Sequence, residues 1–273
     1  MHEETLADPE GVLVIPENHC GTGILTIGGS SGRVDADRAR LLAAHGALAL
    51  SIRWFGGPGQ PDTPRLVPLE TFTHALDRLA VDCDRLIISG LSFGAEAALL
   101  VAAHDERVDG CIGFAPSPYA WSYIDPDDSQ VSHWTLHGAA VPAVPFDLSW
   151  EPDTDPPAFV GSYRQSVATA RAETLANAAI PVERIGELLL VAGGDDQVWP
   201  SVDFAEQIVA TRQRHGLATD LVTLPAAGHR TMLPGETPVV AGQAMARGGT
   251  DESNREHGRL AWPHVRHMLR LRE

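Results

Sequence analysis

The residue with the most informative chemical surroundings is Ser92, at the centre of residues 90–94 (GLSFG). A short apolar run, residues 86–88 (LII), precedes this pentapeptide, and strong helix formers follow it from Ala95. A G-x-S-x-G sequence between a strand and a helix is typical of a nucleophile elbow, whose turn is so sharp that the glycine positions must lack side chains. We therefore predict that Ser92 is a nucleophile at a helix N-terminus, with a tight turn of no catalytic role as the alternative.

Two further kinds of side chain suited to acyl transfer follow strand-like runs later in the chain. Asp195 and Asp196 follow residues 187–192, and His229 follows residues 219–224 in a glycine turn. Loops at the carboxyl ends of parallel strands share one edge of the sheet, and the order serine, acid, histidine is that of α/β-hydrolases. We predict that His229 is the base and that Asp196 orients it, while Asp195 tightens the turn. The alternatives are a histidine bonded to a backbone carbonyl and two aspartates that serve only the turn.

A tetrahedral intermediate at Ser92 would need two amide donors aimed at its oxyanion. The first is expected to be the backbone N–H of Phe93, the residue after the nucleophile. The second is expected from the glycine-rich residues 28–32 (GGSSG), with Ser30 as first choice and Gly29 as second. Glycine-rich turns after strands also occur for purely steric reasons, which is the alternative.

Candidate substrate contacts lie in a long segment that interrupts the regular pattern. Residues 116–165 are rich in proline and aromatics, and a loop of this length inside a domain is often a lid or a binding segment. We therefore expect Trp121 and Trp134 to contact substrate, with an inserted mini-core packed on the sheet as an equally weighted alternative. Arg53, at the end of a predicted strand, is a third candidate, with a surface arginine as its alternative.

The remaining elements must bring these loops together. Strand-like and helix-like runs alternate with short connections, which predicts right-handed crossovers and a mostly parallel sheet, hence an α/β-hydrolase fold in a single domain over residues 1–273. The predicted strands are residues 11–16, 23–27, 47–52, 86–88, 108–115, 187–192 and 219–224. The predicted helices are residues 35–45, 69–81, 163–178, 201–214 and 259–271, besides the one that begins at Ala95, with Ser201 as an N-cap.

Composition excludes several kinds of chemistry. The 273 residues carry a formal net charge of −16, with 36 acidic and 20 basic residues, which argues against nucleic acid or an anionic membrane as a partner. Every basic residue is an arginine, so a Walker-type phosphate loop, a Schiff-base lysine and a Ser-Lys dyad are excluded.

Location and metal content are also constrained by the sequence. The first residues are polar and acidic, with no apolar core of a signal peptide, and no run is long enough to span a bilayer. Cys20, Cys83 and Cys111 are scattered without metal-site spacing, and an odd number suits reduced thiols. We therefore expect a cytoplasmic protein without a metal site.

Several motifs spread over most of the chain occur together: TIGGSSGRVDADRARLLAAHGALALSIRWFGGPG, VPLETFTHAL, GLSFGAEAALL, IPVERI, GGDDQVWPS, PAAGH, and GGT followed by AWPHVRHML. In combination they resemble the catalytic domain of the acyl-CoA thioesterase and bile acid-CoA:amino acid N-acyltransferase family. The resemblance implies an α/β-hydrolase fold, an acyl thioester or related ester as substrate, and no cofactor. With such a substrate, an acyl carrier protein is an alternative acyl donor to coenzyme A. It places the nucleophile on Ser92, the acid on Asp196 and the base on His229.

The chain departs from the family in two ways. The β-sandwich domain that precedes the hydrolase domain in animal members is not expected here, because the hydrolase strands begin near residue 11. The members that conjugate amino acids use cysteine as nucleophile, whereas this chain has Ser92. An acyl-serine is an ordinary ester and favours attack by water, so we expect hydrolysis. An acyltransferase that uses the same intermediate, and a ligand receptor without useful turnover, are the alternatives.

The negative net charge of the chain limits which substrates it can bind. Coenzyme A and acyl carrier proteins are anionic, so a chain of net charge −16 would need a local arginine cluster to bind either of them. The sequence offers Arg33, Arg38, Arg40 and Arg65 as candidates for that cluster. A neutral ester, amide or lactone is the alternative substrate.

Overall fold

The computed structural model describes residues 1–238 and 243–271; residues 239–242 and 272–273 of the predicted domain lie outside the described part. The strands are, in chain order, β1 (His2–Ala7), β2 (Glu10–Ile15), β3 (Thr22–Ile27), β4 (Leu48–Ile52), β5 (Val67–Pro68), β6 (Arg85–Leu91), β7 (Gly110–Phe114), β8 (Ser122–Ile124), β9 (Gln130–Ser132), β10 (Trp134–Leu136), β11 (Ala139–Ala140), β12 (Glu187–Gly193) and β13 (Asp220–Leu224).

The helices alternate with the longer strands. They are α1 (Ala36–Ala44), α2 (Glu70–Ala80), α3 (Phe93–His104), α4 (Val160–Thr169), α5 (Ala172–Ala178), α6 (Ser201–Arg214) and α7 (Asp251–Leu269), with a 3-10 turn at Val182–Arg184.

Within the described residues, eight strands form one sheet in the order β1-β2-β4-β3-β6-β7-β12-β13. The pairs β1·β2 and β2·β4 are antiparallel, and every other pair in this sheet is parallel. The carboxyl ends of β3, β6, β12 and β13 therefore point to one edge. The loops that carry the candidate catalytic residues follow these four strands.

Helices cover the sheet on both faces, because alternate side chains of its central strands point in opposite directions. In β3, Leu25 packs into one core cluster together with α2, α3 and α6. Its neighbour Ile24 packs into the other cluster, together with α1 and α7. Both side chains are fully buried, which explains why these strands are near-continuous apolar runs in the sequence.

The mostly parallel sheet flanked by helices agrees with the sequence prediction, but some boundaries differ. The predicted helix over residues 163–178 is two helices, because Ala170 and Arg171 adopt extended backbone between α4 and α5. The closing helix α7 begins at Asp251, eight residues before its predicted start, and Thr250 and Ser253 form a capping box there. Ser201 is not an N-cap: Pro200 precedes the helix, and Ser201 is its first residue.

The segment over residues 116–165 contains short strands and a small core of its own. β10 pairs in parallel with β5, and β8 pairs with β9. Trp121, Val144 and Tyr163 pack there against Trp199 and Phe204, which come from the loop before α6 and from α6 itself. This arrangement corresponds to the mini-core alternative, although the same segment also contributes to the cavity described below.

Among the described residues, no helix is both long enough and apolar enough to cross a bilayer.

Candidate active site

Ser92 lies at the tip of a sharp turn between β6 and α3. Its backbone has φ of 60° and ψ of −125°, a region that residues with side chains rarely adopt. Two hydrogen bonds hold the Ser92 backbone in this conformation. The Ser92 N–H donates to the carbonyl of Phe114 in β7 at 2.9 Å, and the Ser92 carbonyl accepts from the Ala95 N–H at 2.8 Å. The serine is thus fixed at the N-terminus of α3, where the helix amides point towards it.

The two glycines of the pentapeptide are required by close backbone approach. A Cβ on Gly90 would collide with the carbonyl of Gly94, in the first turn of α3. A Cβ on Gly94 would collide with the carbonyl of Gly28 and lie 2.6 Å from that of Ile27, at the end of β3. The elbow therefore packs directly on the loop after β3, as the G-x-S-x-G pattern predicts.

His229 and Asp196 form a buried imidazole–carboxylate pair. Nδ1 of His229 lies 2.8 Å from Oδ2 of Asp196, with side-chain exposures of 6% and 1%. The backbone N–H of His229 donates to the carbonyl of Arg247 at 2.8 Å, which fixes the turn after β13. A carboxylate oxygen accepts hydrogen bonds, so Nδ1 of His229 is the donor in this pair, and Nε2 lies on the other side of the ring.

The Asp196 carboxylate accepts three further hydrogen bonds. Oδ1 accepts from the backbone N–H groups of Val198 at 2.8 Å and Trp199 at 3.2 Å, and Oδ2 accepts from the hydroxyl of Ser201. Asp196 is thereby held in one orientation by the first residues of α6 and the loop before it.

Asp195 faces a different part of the molecule. It is exposed, and its Oδ1 accepts from the side-chain amide of Gln197 at 2.7 Å. Its Oδ2 accepts from the backbone N–H of Gly249 at 2.7 Å. Of the two adjacent aspartates, the structure brings Asp196 to His229 and uses Asp195 to tie the loop after β12 to the segment before α7.

A cavity of about 630 Å³ brings together residues from these loops. Ser92, Phe93, Gly29, Ser30 and His229 all line it. Its wall is otherwise rich in aromatic side chains, most of them from the segment over residues 116–165: Tyr123, Phe146, Trp150, Phe159 and Tyr163. An apolar, concave wall beside a few polar groups is typical of a small-molecule site.

The residues expected to bind an oxyanion adjoin Ser92. Phe93 is the first residue of α3, so its N–H has no partner within the helix. A Cβ on Gly29 would lie 3.2 Å from the carbonyl of Leu91 and 3.5 Å from Cβ of Ser92, which shows how closely the loop after β3 approaches the elbow. Ser30 is the next residue in this loop, which a bond from Gly32 N–H to the Gly29 carbonyl closes at 2.9 Å.

The three expected substrate contacts lie elsewhere. Arg53 forms an ion pair with Glu10, with Nε 2.7 Å from Oε2, beside the antiparallel part of the sheet. Trp121 and Trp134 are fully buried, and their indole N–H groups donate to Ser117 and Glu96 respectively. Neither tryptophan nor Arg53 is among the described residues that line the cavity, so these three expectations are corrected: the tryptophans belong to the packing behind the cavity wall.

The proposed arginine cluster is also different from the one expected. Arg38 is paired with Glu236, Arg40 with Glu3 and Arg65 with Asp125. Arg33 does line the cavity, together with Arg230 and Arg247. No local pattern distinguishes Arg230 and Arg247 from the other arginines of the chain, although Arg230 directly follows His229.

His133 is a cavity residue that the sequence did not reveal. Its Nδ1 donates to the carbonyl of Pro64 at 2.5 Å, and its ring centroid lies 4.4 Å from that of Phe93. Burial lowers the pKa of His133 to about 4, so the imidazole is neutral near pH 7. Its partner Pro64 is 69 residues away along the chain, which explains why no local pattern indicated this role.

Glu96 lies four residues after Ser92, on the buried side of α3. Its Oε1 accepts from the backbone N–H of Trp121 at 2.9 Å and from the indole N–H of Trp134 at 2.7 Å. Burial raises the pKa of Glu96 to about 8, so the side chain is protonated at pH 7. This neutral carboxyl joins the elbow helix to the segment over residues 116–165.

Two mouse proteins show similarity along most of the chain. Acyl-coenzyme A amino acid N-acyltransferase 2 is 24% identical over 269 residues, which cover 91% of this chain and 59% of the mouse protein. Peroxisomal succinyl-coenzyme A thioesterase is 23% identical over 260 residues, which cover 89% of this chain and 58% of that protein. The chain thus spans less than two thirds of the length of these curated relatives.

Solved structures show the same architecture at lower identity. An acylaminoacyl peptidase from Pyrococcus horikoshii superposes with a TM-score of 0.58 at 10% identity, over 97% of this chain and 40% of that one. A structure from Klebsiella pneumoniae described as a dienelactone hydrolase gives a TM-score of 0.54 at 14% identity, over 98% and 97% of the two chains. The predicted α/β-hydrolase fold is confirmed.

The family resemblance rests on more than fold. Residues 67–249 match the family model described as BAAT / Acyl-CoA thioester hydrolase C terminal, and they include the elbow, the Asp196 loop and the His229 turn. This range is more than half of the chain, and the resemblance seen in the motifs is confirmed. The chain belongs to the BAAT / acyl-CoA thioester hydrolase C-terminal family.

Proposed function

We propose that this protein is a serine hydrolase of acyl thioesters that works through an acyl-serine intermediate, with Ser92, His229 and Asp196 as its catalytic residues. The observation that carries the proposal is the shared cavity: a serine at a strained elbow and a histidine bonded to a buried carboxylate line the same wall. Membership of a thioester hydrolase family supports the same class of reaction.

In the first half of the proposed reaction, Oγ of Ser92 attacks the thioester carbonyl carbon while Nε2 of His229 takes the hydroxyl proton. The oxyanion accepts hydrogen bonds from the amide of Phe93 and from that of Ser30 or Gly29. The carbon–sulfur bond then breaks, and the imidazolium returns the proton to the departing thiolate. Asp196 stabilises the imidazolium and holds its tautomer.

In the second half, water attacks the acyl-serine carbonyl while Nε2 of His229 takes a proton from it. The carbon–oxygen bond to Ser92 breaks, Oγ recovers the proton, and a carboxylic acid leaves. No cofactor takes part in these steps.

The cavity suits an acyl chain of moderate size. Its volume of about 630 Å³ lies within the range of small-ligand pockets. The aromatic side chains contributed by residues 116–165 offer apolar cover, so this segment acts as the lid of a single hydrolase domain in our proposal. Wall residues of this kind would exclude water from the acyl group and strengthen the polar contacts around the carbonyl.

An amine or alcohol could take the place of water at the acyl-serine, and one relative is named as an amino acid N-acyltransferase. We place hydrolysis first because a serine ester is less reactive towards amines than a cysteine thioester. Mass spectrometry of products formed with and without added glycine or taurine separates the two. Hydrolysis as the main reaction predicts free acid as the dominant product at every amine concentration.

The decisive experiment compares wild type with Ser92→Ala on acyl thioesters and p-nitrophenyl esters of graded chain length. We expect loss of turnover by about 10⁴-fold or more in Ser92→Ala, and covalent labelling of Ser92 by a serine-reactive phosphonate. Ser129→Ala is the control, because Ser129 lies in an exposed turn and its hydroxyl hydrogen-bonds to the nearby Asp125 and Asp127. Failure of wild type to react with the phosphonate would favour a ligand receptor.

Two further expectations stay predictions. An acyl carrier protein is tested as acyl donor by supplying the same acyl group on coenzyme A and on a carrier. The cytoplasmic location is tested by fractionation, since one mouse relative is named as peroxisomal.

A further inference from the structure

We propose that Arg33, Arg230 and Arg247 form an anion-binding subsite, which holds a negatively charged group of the substrate beside the reacting carbonyl. The inference rests on the proposed function for the identity of the substrate, but the subsite itself follows from three arginines that line the same cavity. The anionic group is a phosphate of the leaving group or a carboxylate of the acyl chain.

The three arginines lie at the boundary between two cavities. They line the 630 Å³ cavity that contains Ser92 and His229, and they also line a neighbouring cavity of about 530 Å³. Leu91, the residue before Ser92, is shared by both cavities as well. A group bound by the arginines would therefore lie next to the elbow.

The lining of the main cavity has a charge opposite to that of the whole chain, whereas the neighbouring cavity is lined by four arginines and by four acidic side chains, Asp35, Asp37, Glu236 and Asp251. Three arginines line the main cavity, and the one acidic side chain that lines it among the described residues is Asp147. The hydroxyl and backbone N–H of Ser149 already hydrogen-bond to Asp147. In a protein with a formal net charge of −16, such a local positive excess attracts anions to one position.

The three arginines line the same two cavities, and their charges act on one another. The pKa of Arg230 is lowered to about 10, first by burial and then by the positive charges of Arg247 and Arg33, while Asp35 opposes the effect. Cations gathered in a partly buried place repel, and a bound anion would relieve that repulsion. Arginine also presents paired N–H donors that match carboxylate and phosphate oxygens.

The subsite shares its backbone with the candidate catalytic loops. Arg230 follows His229 directly, and the carbonyl of Arg247 accepts the His229 N–H at 2.8 Å. Arg33 belongs to the loop that carries Gly29 and Ser30. An anion on these guanidinium groups would thus be positioned relative to the base and the oxyanion donors together.

The two parts of the cavity wall differ in character. Trp150 and Phe159 line the main cavity and not its neighbour, whereas the arginines line both. A thioester with an apolar acyl chain would place that chain against the aromatic wall and its anionic part against the three arginines, on the main-cavity side of the boundary. Arg38 also lines the second cavity but is paired with Glu236 through two contacts of 2.6 and 2.9 Å, so it is not included in the subsite.

The test uses Arg33→Gln, Arg230→Gln and Arg247→Gln with three thioesters: an acyl-CoA, the same acyl group on uncharged pantetheine, and a pantetheine thioester whose acyl chain ends in a carboxylate. We expect at least one charged substrate to lose about tenfold in kcat/KM, mostly through KM, while the uncharged thioester is nearly unchanged. Loss confined to acyl-CoA identifies the phosphate, and loss confined to the third substrate identifies the carboxylate.

Controls separate charge from structure. Arg65→Gln removes the same charge from an exposed ion pair with Asp125 and should leave all three substrates unaffected. Arg230→Lys, which keeps the charge, should recover part of the loss. Equal loss for charged and uncharged thioesters, or no loss for any of them in all three variants, would overturn the subsite.

Direct binding keeps the subsite distinct from the catalytic proposal. Calorimetry with thioether analogues of acyl-CoA and of the carboxylate substrate, which cannot be hydrolysed, measures affinity without turnover whichever residue is the nucleophile. Weaker binding in Arg230→Gln, and weaker binding at higher salt, support the subsite even if Ser92 proves not to be the nucleophile. Unchanged affinity in the arginine variants counts against the subsite even if Ser92 is the nucleophile.

Discussion

Ser201 donates its hydroxyl to Oδ2 of Asp196, the same carboxylate oxygen that lies 2.8 Å from Nδ1 of His229. Ser201 is fully buried at the start of α6, so this bond is shielded from water. Asp196 is thus oriented by a side chain that is not among the described residues lining the cavity. This makes Ser201 a positioning residue in the proposed mechanism.

We expect Ser201→Ala to lower kcat by about tenfold with little change in KM, because one hydrogen bond to a charged group is lost and Asp196 can then rotate. Steady-state kinetics with one acyl thioester measures both constants. Thermal unfolding of the same variant shows whether the loss reflects stability, and a fall in kcat with an unchanged melting temperature supports positioning. An unaltered kcat would show that the two backbone N–H groups suffice to orient the carboxylate.

The two adjacent aspartates should behave differently. Asp196→Asn removes the charge that stabilises the imidazolium and favours the wrong tautomer, so we expect kcat to fall by about 10⁴-fold. Asp195→Asn keeps an acceptor for Gly249 N–H and should lower kcat only slightly. Rates for the pair under identical conditions check the assignment, which the reverse order of effects would contradict.

The elbow glycine Gly94 offers a test of the packing between α3 and the loop after β3. In Gly94→Ala the new Cβ would press on the carbonyls of Ile27 and Gly28, and we expect the free energy of unfolding to fall by about 3 kcal/mol or more. Urea unfolding followed by circular dichroism measures the change.

Gly138→Ala is a comparison variant for this substitution. Gly138 has a φ of 76° and open space around its Cβ position, so its loss of about 1 kcal/mol would come from the left-handed backbone, whereas Gly94 lies within α3 and its loss would come from the collision. Similar losses in the two variants would mean that the loop after β3 can move away from the elbow.

The sheet and the elbow could be predicted from the sequence because local patterns determine them. The buried strands are apolar on both faces, so they stand out as apolar runs. The two glycines around Ser92 are also recognisable, because a side chain at either position would collide with the backbone. The first turns of α7 escaped prediction because they are polar. Their buried face consists of Asn254, His257 and Gly258, which contact neighbouring backbone and would not register as an apolar stripe.

Contacts between side chains far apart in the sequence could not be predicted from local patterns. Arg53 pairs with Glu10 and Arg38 with Glu236, which lie 43 and 198 residues away along the chain. No feature of the neighbouring sequence distinguishes these two arginines from Arg33, which lines the cavity. Trp134 illustrates the same limit. Its partner Glu96 lies on the elbow helix, and only the fold shows that this tryptophan supports the cavity wall from behind.

The ionisation of two buried groups, Glu96 and His133, should affect the stability of the protein in opposite ways. The pKa of Glu96 is raised from 4.5 to about 8 by burial. Between these values the unfolded chain has lost a proton that the folded protein keeps, so stability falls as pH rises, by about 1.4 kcal/mol per pH unit. The pKa of His133 is lowered from 6.5 to about 4, and between these values the unfolded chain holds a proton that the folded protein lacks. The contribution of His133 to the free energy of unfolding therefore rises with pH, again by about 1.4 kcal/mol per pH unit.

The two contributions should cancel between about pH 4.5 and 6.5, where their windows overlap. Glu96→Gln keeps an acceptor for Trp121 and Trp134 but cannot ionise, so its stability relative to wild type should rise steadily from pH 4.5 to about 8. His133→Asn keeps a donor for the Pro64 carbonyl, and its stability relative to wild type should rise as pH falls from 6.5 to about 4. Urea unfolding across this pH range measures both differences.

Exposed residues of the same types provide the comparison for these slopes. Glu173→Gln and His74→Asn make the same substitutions at side chains that lie in solvent, and serve as comparison variants. Glu96→Gln and His133→Asn should change the slope, because a group whose affinity for protons differs between the folded and unfolded chains contributes to it. A Glu96→Gln curve parallel to that of the wild type would mean that this carboxyl ionises normally in the folded protein, and that the link between α3 and Trp134 carries a charge.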